Sequence, residues 1–404
     1  MRQTSLSSGK ERNRLRLALS WIFLVFLLLV ISYQISELET KSELFLNDFV
    51  AFWSAGRLIA TGHNPYAAAQ LLELQRGIGW KKVDPERSWN PPWTLLFIIP
   101  FGLLNFSIAA KLWLIMHFAI VFLSSDWLWR LYGGPRSYRW LAWIIGIFFF
   151  PSLYLLKIGQ ISAMVLLGIV GFLYFMKNDK HLLAGFSILF IAIKPNLLYL
   201  FGVALFLWVI ERRCWSLLLG ITLALSFATF IPFCLNPEII THYFNAIMDA
   251  PIFLSQWATP TFGTLFRVLL GMEKPWLQFI APTAGTIWFL QYWAKHHKTW
   301  EWQEQTPLLL LVSLITTSYA WGYDKVVLLI PALQAASWIF RLGKNRITFW
   351  AITSFLGINS LAFILPTANA FWFIWMAPSL LVWYWIVRKL AMSTFSIYPA
   401  YKTR

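Results

Sequence analysis

Cysteine is scarce in this 404-residue sequence, which contains only Cys214 and Cys234. The two lie at opposite ends of one predicted helix. Twenty helical residues span about 30 Å, whereas the Cα atoms of a disulfide lie roughly 6 Å apart. Neither a disulfide framework nor a cysteine metal site is therefore available to this chain.

Charged side chains are also scarce, since they make up 12% of the sequence, against 59% hydrophobic residues. Soluble domains are about a quarter charged, so the composition indicates a polytopic membrane protein. Segments that cross lipid must pair their own backbone polar groups, which predicts an all-α fold. We predict a single integral membrane domain over residues 17–390, between a basic cytoplasmic N-terminus (1–16) and a cytoplasmic tail (391–404).

Hydrophobic runs predict about twelve transmembrane helices, within a range of about 11 to 13. The predicted spans are 17–36, 106–127, 139–156, 161–177, 181–194, 196–211, 214–235, 277–294, 306–320, 324–341, 347–365 and 370–388. The first is too long for the core of a cleaved signal peptide, so it is expected to remain as an anchor. The run 92–105 is short and contains Pro100 in its middle, which predicts a re-entrant or half-depth helical element.

The formal net charge of +16 is best explained by topology. If 92–105 does not cross, most basic loops fall on one side, as the positive-inside rule requires of the cytoplasmic side. Both termini are then cytoplasmic, and the first outer loop (37–91) and a long outer loop (236–276) face outward. We therefore predict a multi-pass protein of the plasma or inner membrane, in contact with membrane lipid and with no nucleic-acid partner.

The first outer loop contains an apolar stripe at helical spacing. Its members are Phe49, Phe52, Trp53 and Gly56. This pattern predicts an amphipathic helix in the plane of the membrane interface, with Gly62 as its C-terminal stop. Asn47 or Asp48 can cap the N-terminus of this helix. Asp48 can also serve as a general base at a membrane cavity, and the two roles are compatible.

Other polar residues interrupt apolar corners on the same predicted outer face. They are Lys157, Gln160, Lys194, Arg267, Tyr323 and Asp324. A lysine within an apolar run, such as Lys194, either snorkels to the interface or meets an anionic group such as phosphate. Asp324 either pairs with Lys325, caps the next helix, or belongs to a site.

Patterns typical of metal or cofactor binding are weak. The sequence lacks an HExxH motif, a Gly-rich phosphate cradle and a Walker pattern. Asp84-x-Glu86 has the spacing of a metal-binding acidic pair, but such pairs are common in loops. We predict no metal and no cofactor. Most of the tryptophans are expected at membrane interfaces, although a few can stack on a sugar ring, namely Trp89, Trp93, Trp257 and Trp321.

Five segments in order resemble glycosyltransferase family 87, the DUF2029-type group of GT-C membrane glycosyltransferases. They are DFVAFWSAGRLIATGHNPY, NPPWTLLFIIPFGLL, KIGQISAMVLL, LLAGFSILFIAIKPNLLYLF and SYAWGYDKVVLLIPAL. The resemblance covers roughly residues 45–335. The last segment reads WGYDK where many members carry Trp-x-His-Tyr.

The resemblance implies a GT-C helical bundle that transfers a sugar, typically mannose, from a polyprenyl-phosphate donor. The acceptor is a hydroxyl of a lipid-linked or cell-envelope glycan, attacked on the external face with inversion by direct displacement. The resemblance also implies that Asp48 is catalytic and that Lys194, helped by Arg267 and Lys157, binds the donor phosphate. The residues expected to bind the sugar or the acceptor are Gln160, Tyr323, Asp324, Asn90 and Tyr66.

The main alternative is a transporter or flippase of a lipid-linked sugar. Such proteins commonly show paired internal repeats with helices broken at matching positions. The half of this sequence that carries most of the motifs, up to about residue 235, is unlike the remainder. A non-catalytic assembly subunit is a third reading, which predicts that loss of Asp48 leaves the chemistry unaffected.

Overall fold

A computed structural model of the chain describes residues 46–254, 257–343, 346–365 and 370–397, and no strand occurs among them. The predicted first span, 17–36, lies outside the described residues. The all-helical class predicted from composition is confirmed for the part of the chain that is described.

Seventeen α-helices are described. The first nine are α1 (Asn47–Ala60), α2 (Ala68–Gly77), α3 (Leu95–Gly102), α4 (Phe106–Leu131), α5 (Arg139–Phe148), α6 (Phe150–Ile158), α7 (Ser162–Lys177), α8 (His181–Ile191) and α9 (Tyr199–Arg212). The others are α10 (Trp215–Leu235), α11 (Ile239–Leu254), α12 (Phe262–Leu270), α13 (Ile280–His296), α14 (Trp302–Thr316), α15 (Leu329–Leu342), α16 (Arg346–Ile364) and α17 (Met376–Ile397). Short 3-10 helices cover Pro92–Thr94, Arg136–Tyr138, Pro195–Leu198, Pro275–Phe279, His297–Thr299, Tyr323–Leu328 and Ala370–Trp375.

Six of the described helical segments are long and apolar enough to cross a membrane. They are Phe106–Leu131, Pro195–Arg212, Trp215–Leu235, Tyr323–Leu342, Arg346–Ile364 and Ala370–Ser393. A seventh candidate is the pair α5 and α6, which is bent by 50°. The chain is thus a multi-pass membrane protein with six or seven candidate spans in its described part, and the count of about twelve stays a prediction.

Helix breaks explain why two of the predicted spans, 139–156 and 181–194, are not single long helices. The run 139–156 is interrupted at Phe149, whose extended backbone ends α5, and Pro151 lies in the first turn of α6. The run 181–194 loses its last residues because Pro195 disfavours helix for the residue before it, and α8 ends at Ile191. The predicted long loop 236–276 is largely helical, since it contains α11 and α12.

The ambiguous run 92–105 forms the short helix α3. Eight residues extend about 12 Å, less than half the thickness of the hydrocarbon core. Glycines let α3 pack closely on α1: a Cβ on Gly56 would lie 2.5 Å from the Ile98 oxygen, and one on Gly102 2.1 Å from the Gly56 carbonyl carbon. Arg57 Nη1 donates to the Gly102 oxygen at 3.1 Å. This length supports the prediction of a half-depth element.

Helix α1 itself forms where the apolar stripe predicted it. It ends as predicted, because Gly62 adopts φ 77° and the His63 amide closes a 2.9 Å bond to the Leu58 oxygen, the pattern of a Schellman stop. An amphipathic helix was predicted, but protein encloses most of α1. Ten of its fourteen residues are buried, because α3 covers one side and α2 another.

Candidate active site

A cavity of about 810 Å³ collects side chains from seven separate parts of the chain. It is hereafter called the Asp48 cavity. Its lining comes from α1 with Asp48, the loop 82–91, the corner 154–160 with Gln160, the corner 193–197, α11 with Tyr243 and Ile247, Trp257, and the segment 319–324 with Tyr323 and Asp324. Four of these parts carry motifs that the sequence singled out. The fold therefore brings together residues as distant in sequence as Asp48 and Asp324, which are 276 positions apart.

Asp48 accepts a hydrogen bond from Gln160 Nε2 at 2.8 Å. The expectation that Asn47 or Asp48 caps the helix is wrong. Leu46 occupies the cap position in a left-handed conformation, with φ 70°, and no side chain caps the helix. Asp48 instead lies in the first turn of α1, where the partial positive charge of the helix end favours an anion, and its carboxylate remains available to the cavity.

Gln160 is positioned by the residue before it. Gly159 ends α6 with φ 75°, and a Cβ there would lie 2.8 Å from the Phe49 Cβ. The Gly159 oxygen accepts from Trp113 Nε1 at 2.8 Å. Close contact between this corner and α1 is what allows Gln160 to reach Asp48, so glycine is needed here for both its backbone angle and its size.

The Gln160 amide connects Asp48 with Tyr323 and Lys194. Its Nε2 lies 3.3 Å from the Tyr323 hydroxyl as well as binding Asp48. Its Oε1 accepts from Lys194 Nζ at 3.1 Å and from the Ile161 amide at 2.9 Å. These contacts fix which end of the amide faces Asp48, because the Oε1 atom is held by two donors.

Lys194 forms a salt bridge with Asp324, with Nζ and Oδ1 2.8 Å apart. Its side chain is 14% exposed, and the ammonium lies 4.9 Å from the centroid of the Tyr323 ring. The alternative in which Lys194 only snorkels to the interface is therefore wrong. An ammonium has three protons to donate, and Asp324 and Gln160 account for two of the acceptors.

Asp324 is fully buried and accepts three hydrogen bonds. Its donors are Ser162 Oγ at 2.6 Å, Lys194 Nζ at 2.8 Å and the Trp321 amide at 2.8 Å. The ion pair with Lys325 that the sequence offered as one alternative is not the one formed. Lys325 is 1% exposed, and its Nζ has no hydrogen-bond partner in the part of the chain that the structure describes.

Two carboxyl groups of the cavity have raised pKa values. Burial raises the pKa of Asp48 above its ordinary range, although the hydrogen bond from Gln160 and the charge of Lys194 act against this. Burial and then the negative charge of Asp48 raise the pKa of Glu86 to about 7. Perturbed carboxyl groups facing one cavity are typical of a site that moves protons.

Asn90 and Tyr66, two further predicted site residues, lie in different positions. Asn90 lines the cavity, and its Nδ2 donates to the Ile193 oxygen at 3.0 Å. Tyr66 lies behind it, with its hydroxyl donating to the Asn90 oxygen at 3.0 Å. Asn90 therefore ties the loop 82–91 to the Lys194 corner, and Tyr66 supports it from outside the lining.

Lys157 and Arg267, predicted to help with the donor phosphate, do not line the cavity. Lys157 is exposed. Arg267 is 3% exposed and bonds Gln278 Oε1 at 3.1 Å and the Met272 oxygen at 2.8 Å. Among the three predicted phosphate-binding residues, the structure brings only Lys194 into the cavity.

Aromatic rings line the cavity beside the polar residues. Trp257 lies 6.3 Å from Trp89, 6.2 Å from Trp321 and 5.8 Å from Tyr319, measured between ring centroids. Trp93 lies elsewhere, with its Nε1 bound to the Ala192 oxygen. Three of the four tryptophans expected to stack on a sugar are thus placed where a sugar could lie.

Glu86 and Lys82 are cavity residues that the sequence did not assign to the site. In the sequence Glu86 stands out only as half of an acidic pair, and no periodic pattern in the loop predicts its place in the cavity. No group of three or more His, Cys, Asp or Glu side chains that could hold a metal ion occurs among the described residues.

A second cavity, of about 1190 Å³, lies at the opposite ends of α7, α8 and α15. It is called the Trp300 cavity, and its lining includes tryptophans, basic residues and the acidic residues Asp179, Glu301 and Glu304. Lys177 donates to the Leu131 oxygen at 3.2 Å and Arg212 to the Lys298 oxygen at 2.9 Å. These cations satisfy backbone carbonyls near the ends of helical segments, a structural role that is typical of such positions.

The Asp48 cavity of this helical membrane protein thus combines a buried ion pair, two carboxyl groups with raised pKa values and several aromatic rings. Comparison with known families identifies the class of protein. The sequence model described as glycosyltransferase family 87 matches residues 89–363, so the chain belongs to that family and is a membrane glycosyltransferase. Asp48 lies before the matched range. No curated protein and no solved structure matches the chain.

Proposed function

We propose that the enzyme transfers mannose from a polyprenyl-phosphate donor to a hydroxyl of a lipid-linked or cell-envelope glycan, with inversion. The observation that carries the proposal is a continuous series of hydrogen-bonded side chains in the wall of the Asp48 cavity. It runs from Asp48 to Gln160 at 2.8 Å, to Lys194 at 3.1 Å and to Asp324 at 2.8 Å. A carboxylate and a cation thus lie in the wall of one cavity, which supports the displacement of a phosphate from a sugar by a hydroxyl group.

Asp48 acts as the general base. Its carboxylate accepts the proton of the acceptor hydroxyl as the oxygen attacks the anomeric carbon. The raised pKa brings Asp48 closer to neutral pH, where a base is most effective, and the hydrogen bond from Gln160 fixes its orientation. Direct attack opposite the departing phosphate inverts the anomeric configuration.

Lys194 binds the leaving phosphate. Its third proton is free to meet a phosphate oxygen, while Asp324 and Gln160 hold the ammonium in place. A cation fixed in this way stabilises the negative charge that develops on the phosphate in the transition state. Lys157 and Arg267, which lie outside the cavity lining, have no part in this step.

The decisive experiment is to incubate the purified protein with radiolabelled polyprenyl-phosphate mannose and a membrane lipid extract. We expect a labelled glycan or glycolipid whose new linkage has the anomeric configuration opposite to that of the donor. Retention of configuration would contradict direct displacement. Absence of any labelled product, with the same extract active toward a known transferase, would contradict the donor assignment.

A second proposal concerns orientation: the Asp48 cavity opens to the outside of the plasma or inner membrane, and both termini are cytoplasmic. The basic residues clustered at the other ends of the helices support it through the positive-inside rule. In a variant without Cys214 and Cys234, single cysteines at positions 134 and 178 should resist labelling on intact cells. Labelling there without permeabilisation would refute the orientation.

Membership of the family favours transfer over the transporter alternative. A flippase would move the same lipid-linked sugar without cleaving it, and so it would leave the label on the polyprenyl phosphate. The labelled-product assay therefore separates the two functions.

A further inference from the structure

A buried glutamine fixes one carboxylate-bearing residue of the Asp48 cavity. Gln75 of α2 is fully buried, and its side chain binds the backbone of Glu86 on both sides. Nε2 donates to the Glu86 oxygen at 2.7 Å, and Oε1 accepts from the Glu86 amide at 2.9 Å. Nε2 also donates to Ser54 Oγ at 3.0 Å. Because Ser54 belongs to α1, this clamp fixes Glu86 relative to the helix that carries Asp48.

Gln75 binds the backbone of Glu86, whereas the side chain of Glu86 faces the cavity. It lines the cavity and is partly exposed, and among the described residues it takes part in no hydrogen bond or ion pair. Lys194 and Asp324, by contrast, pair with each other, and Asp48 accepts a hydrogen bond from Gln160. A carboxylate with a fixed backbone and free oxygens is suited to bind hydroxyl groups of a ligand.

The contacts of Gln75 hold Glu86 against the helix that carries Asp48. Ser54 and Asp48 both belong to α1, and Glu86 and Asp48 line the same cavity. The negative charge of Asp48 also acts on Glu86. Because the acceptor hydroxyl must reach Asp48 to lose its proton, a carboxylate held against α1 is placed to meet the acceptor.

We propose that Glu86 binds a hydroxyl of the acceptor sugar beside the hydroxyl that Asp48 deprotonates, and that Gln75 is the positioning residue that holds Glu86 there. This inference rests on the proposed function. It assigns the acceptor class as a polyhydroxylated sugar with at least two neighbouring hydroxyl groups. The pKa of about 7 for Glu86 suits this task, since the ionised group accepts and the protonated group donates a hydrogen bond.

The test measures acceptor and donor dependence separately. Transfer from radiolabelled polyprenyl-phosphate mannose is titrated with increasing amounts of the membrane lipid extract, and then the donor is varied at saturating extract. Glu86→Ala should raise the half-saturating amount of extract roughly tenfold, as expected for loss of a charge-assisted hydrogen bond, with the donor KM unchanged. Glu86→Gln, which keeps donor and acceptor atoms, should have a smaller effect.

Two further variants separate positioning from general structure. Gln75→Ala should also raise the half-saturating amount of extract while the donor KM stays unchanged, whereas a purely structural role would lower turnover at saturation of both substrates. Glu73→Ala removes an exposed carboxylate from the same helix, α2, and should leave both quantities unchanged.

The outcomes distinguish this inference from the proposed function. If the wild-type protein transfers label but Glu86→Ala keeps the wild-type extract dependence, the role of Glu86 is refuted and the proposed function stands. A rise in donor KM in place of the extract effect would move Glu86 to the donor side and also refute the inference. Failure of the wild-type protein to transfer any label refutes the proposed function itself.

Discussion

The two cavities differ in how their charged residues are used. In the Asp48 cavity, side chains from distant segments bind one another, as Lys194 binds Asp324 and Gln160 binds Asp48. In the Trp300 cavity, cations such as Arg212 bind backbone carbonyls. The Trp300 cavity is the larger, about 1190 Å³ against 810 Å³. Size and side-chain pairing therefore single out different cavities, and the proposed active site is the smaller one, in which distant side chains bind one another.

The largest expected effect comes from Asp48→Asn. An amide cannot take up the acceptor proton, and general-base catalysis contributes about 10²–10⁴-fold, so turnover should fall by that factor. Asp48→Glu keeps the carboxylate but displaces it, which predicts a partial loss. Turnover is measured together with thermal stability in detergent. Wild-type turnover in Asp48→Asn would remove the base from the mechanism.

A smaller effect is expected from Lys194→Ala, which should impair use of the donor roughly ten- to a hundredfold, since a charge-assisted hydrogen bond contributes about 1.5–3 kcal/mol. The variant also leaves Asp324 buried without its counter-ion, which destabilises the fold. The double variant Lys194→Ala with Asp324→Asn removes that penalty. If donor kinetics recover in the double variant, Lys194 serves the fold and not the phosphate.

The pH dependence of turnover should show an acidic limb. Asp48 must be deprotonated to act as a base, so turnover falls as the pH drops through its pKa. Because burial raises that pKa, the midpoint should lie above the value of an exposed aspartate, about 3.9. Turnover of the wild-type protein at saturating substrates, measured over a range where it stays folded, checks this. A midpoint at or below that of an exposed aspartate would contradict a buried base.

The smallest effect is expected in the Trp300 cavity. Arg212→Ala removes a cation that binds a backbone carbonyl at 2.9 Å, so turnover should be unchanged and thermal stability slightly lowered. The matched comparison is Lys194→Ala, assayed under the same conditions. A loss of turnover in Arg212→Ala as large as in Lys194→Ala would end the distinction between the two cavities.

The sequence predicted which polar residues line the Asp48 cavity better than it predicted their partners. The stripe from Phe49 to Gly56 predicted α1, because helical periodicity is a local property. Asp324 pairs with Lys194 and not with the adjacent Lys325, a choice made by packing between segments 130 positions apart. The cap was misplaced because Leu46 adopts a left-handed conformation, which hydrophobic patterning does not reveal.

Glu86 shows a second limit of sequence reasoning. The position of its backbone depends on Gln75, eleven positions away on α2, and on the packing of α2 against α1. The prediction of membrane spans meets a similar limit. The break at Phe149 divides a run that is continuously apolar in the sequence. Apolar composition predicts that a segment is in the membrane, whereas crossing also depends on where the helix bends.

The most direct test of the central claim is a cryo-electron microscopy structure of the protein with a non-transferable polyprenyl-phosphate mannose analogue. The account predicts density for the phosphate beside Lys194 in the Asp48 cavity, with the anomeric carbon facing the Asp48 carboxylate. Density for the phosphate in the Trp300 cavity, or a sugar bound with its anomeric carbon away from Asp48, would contradict it.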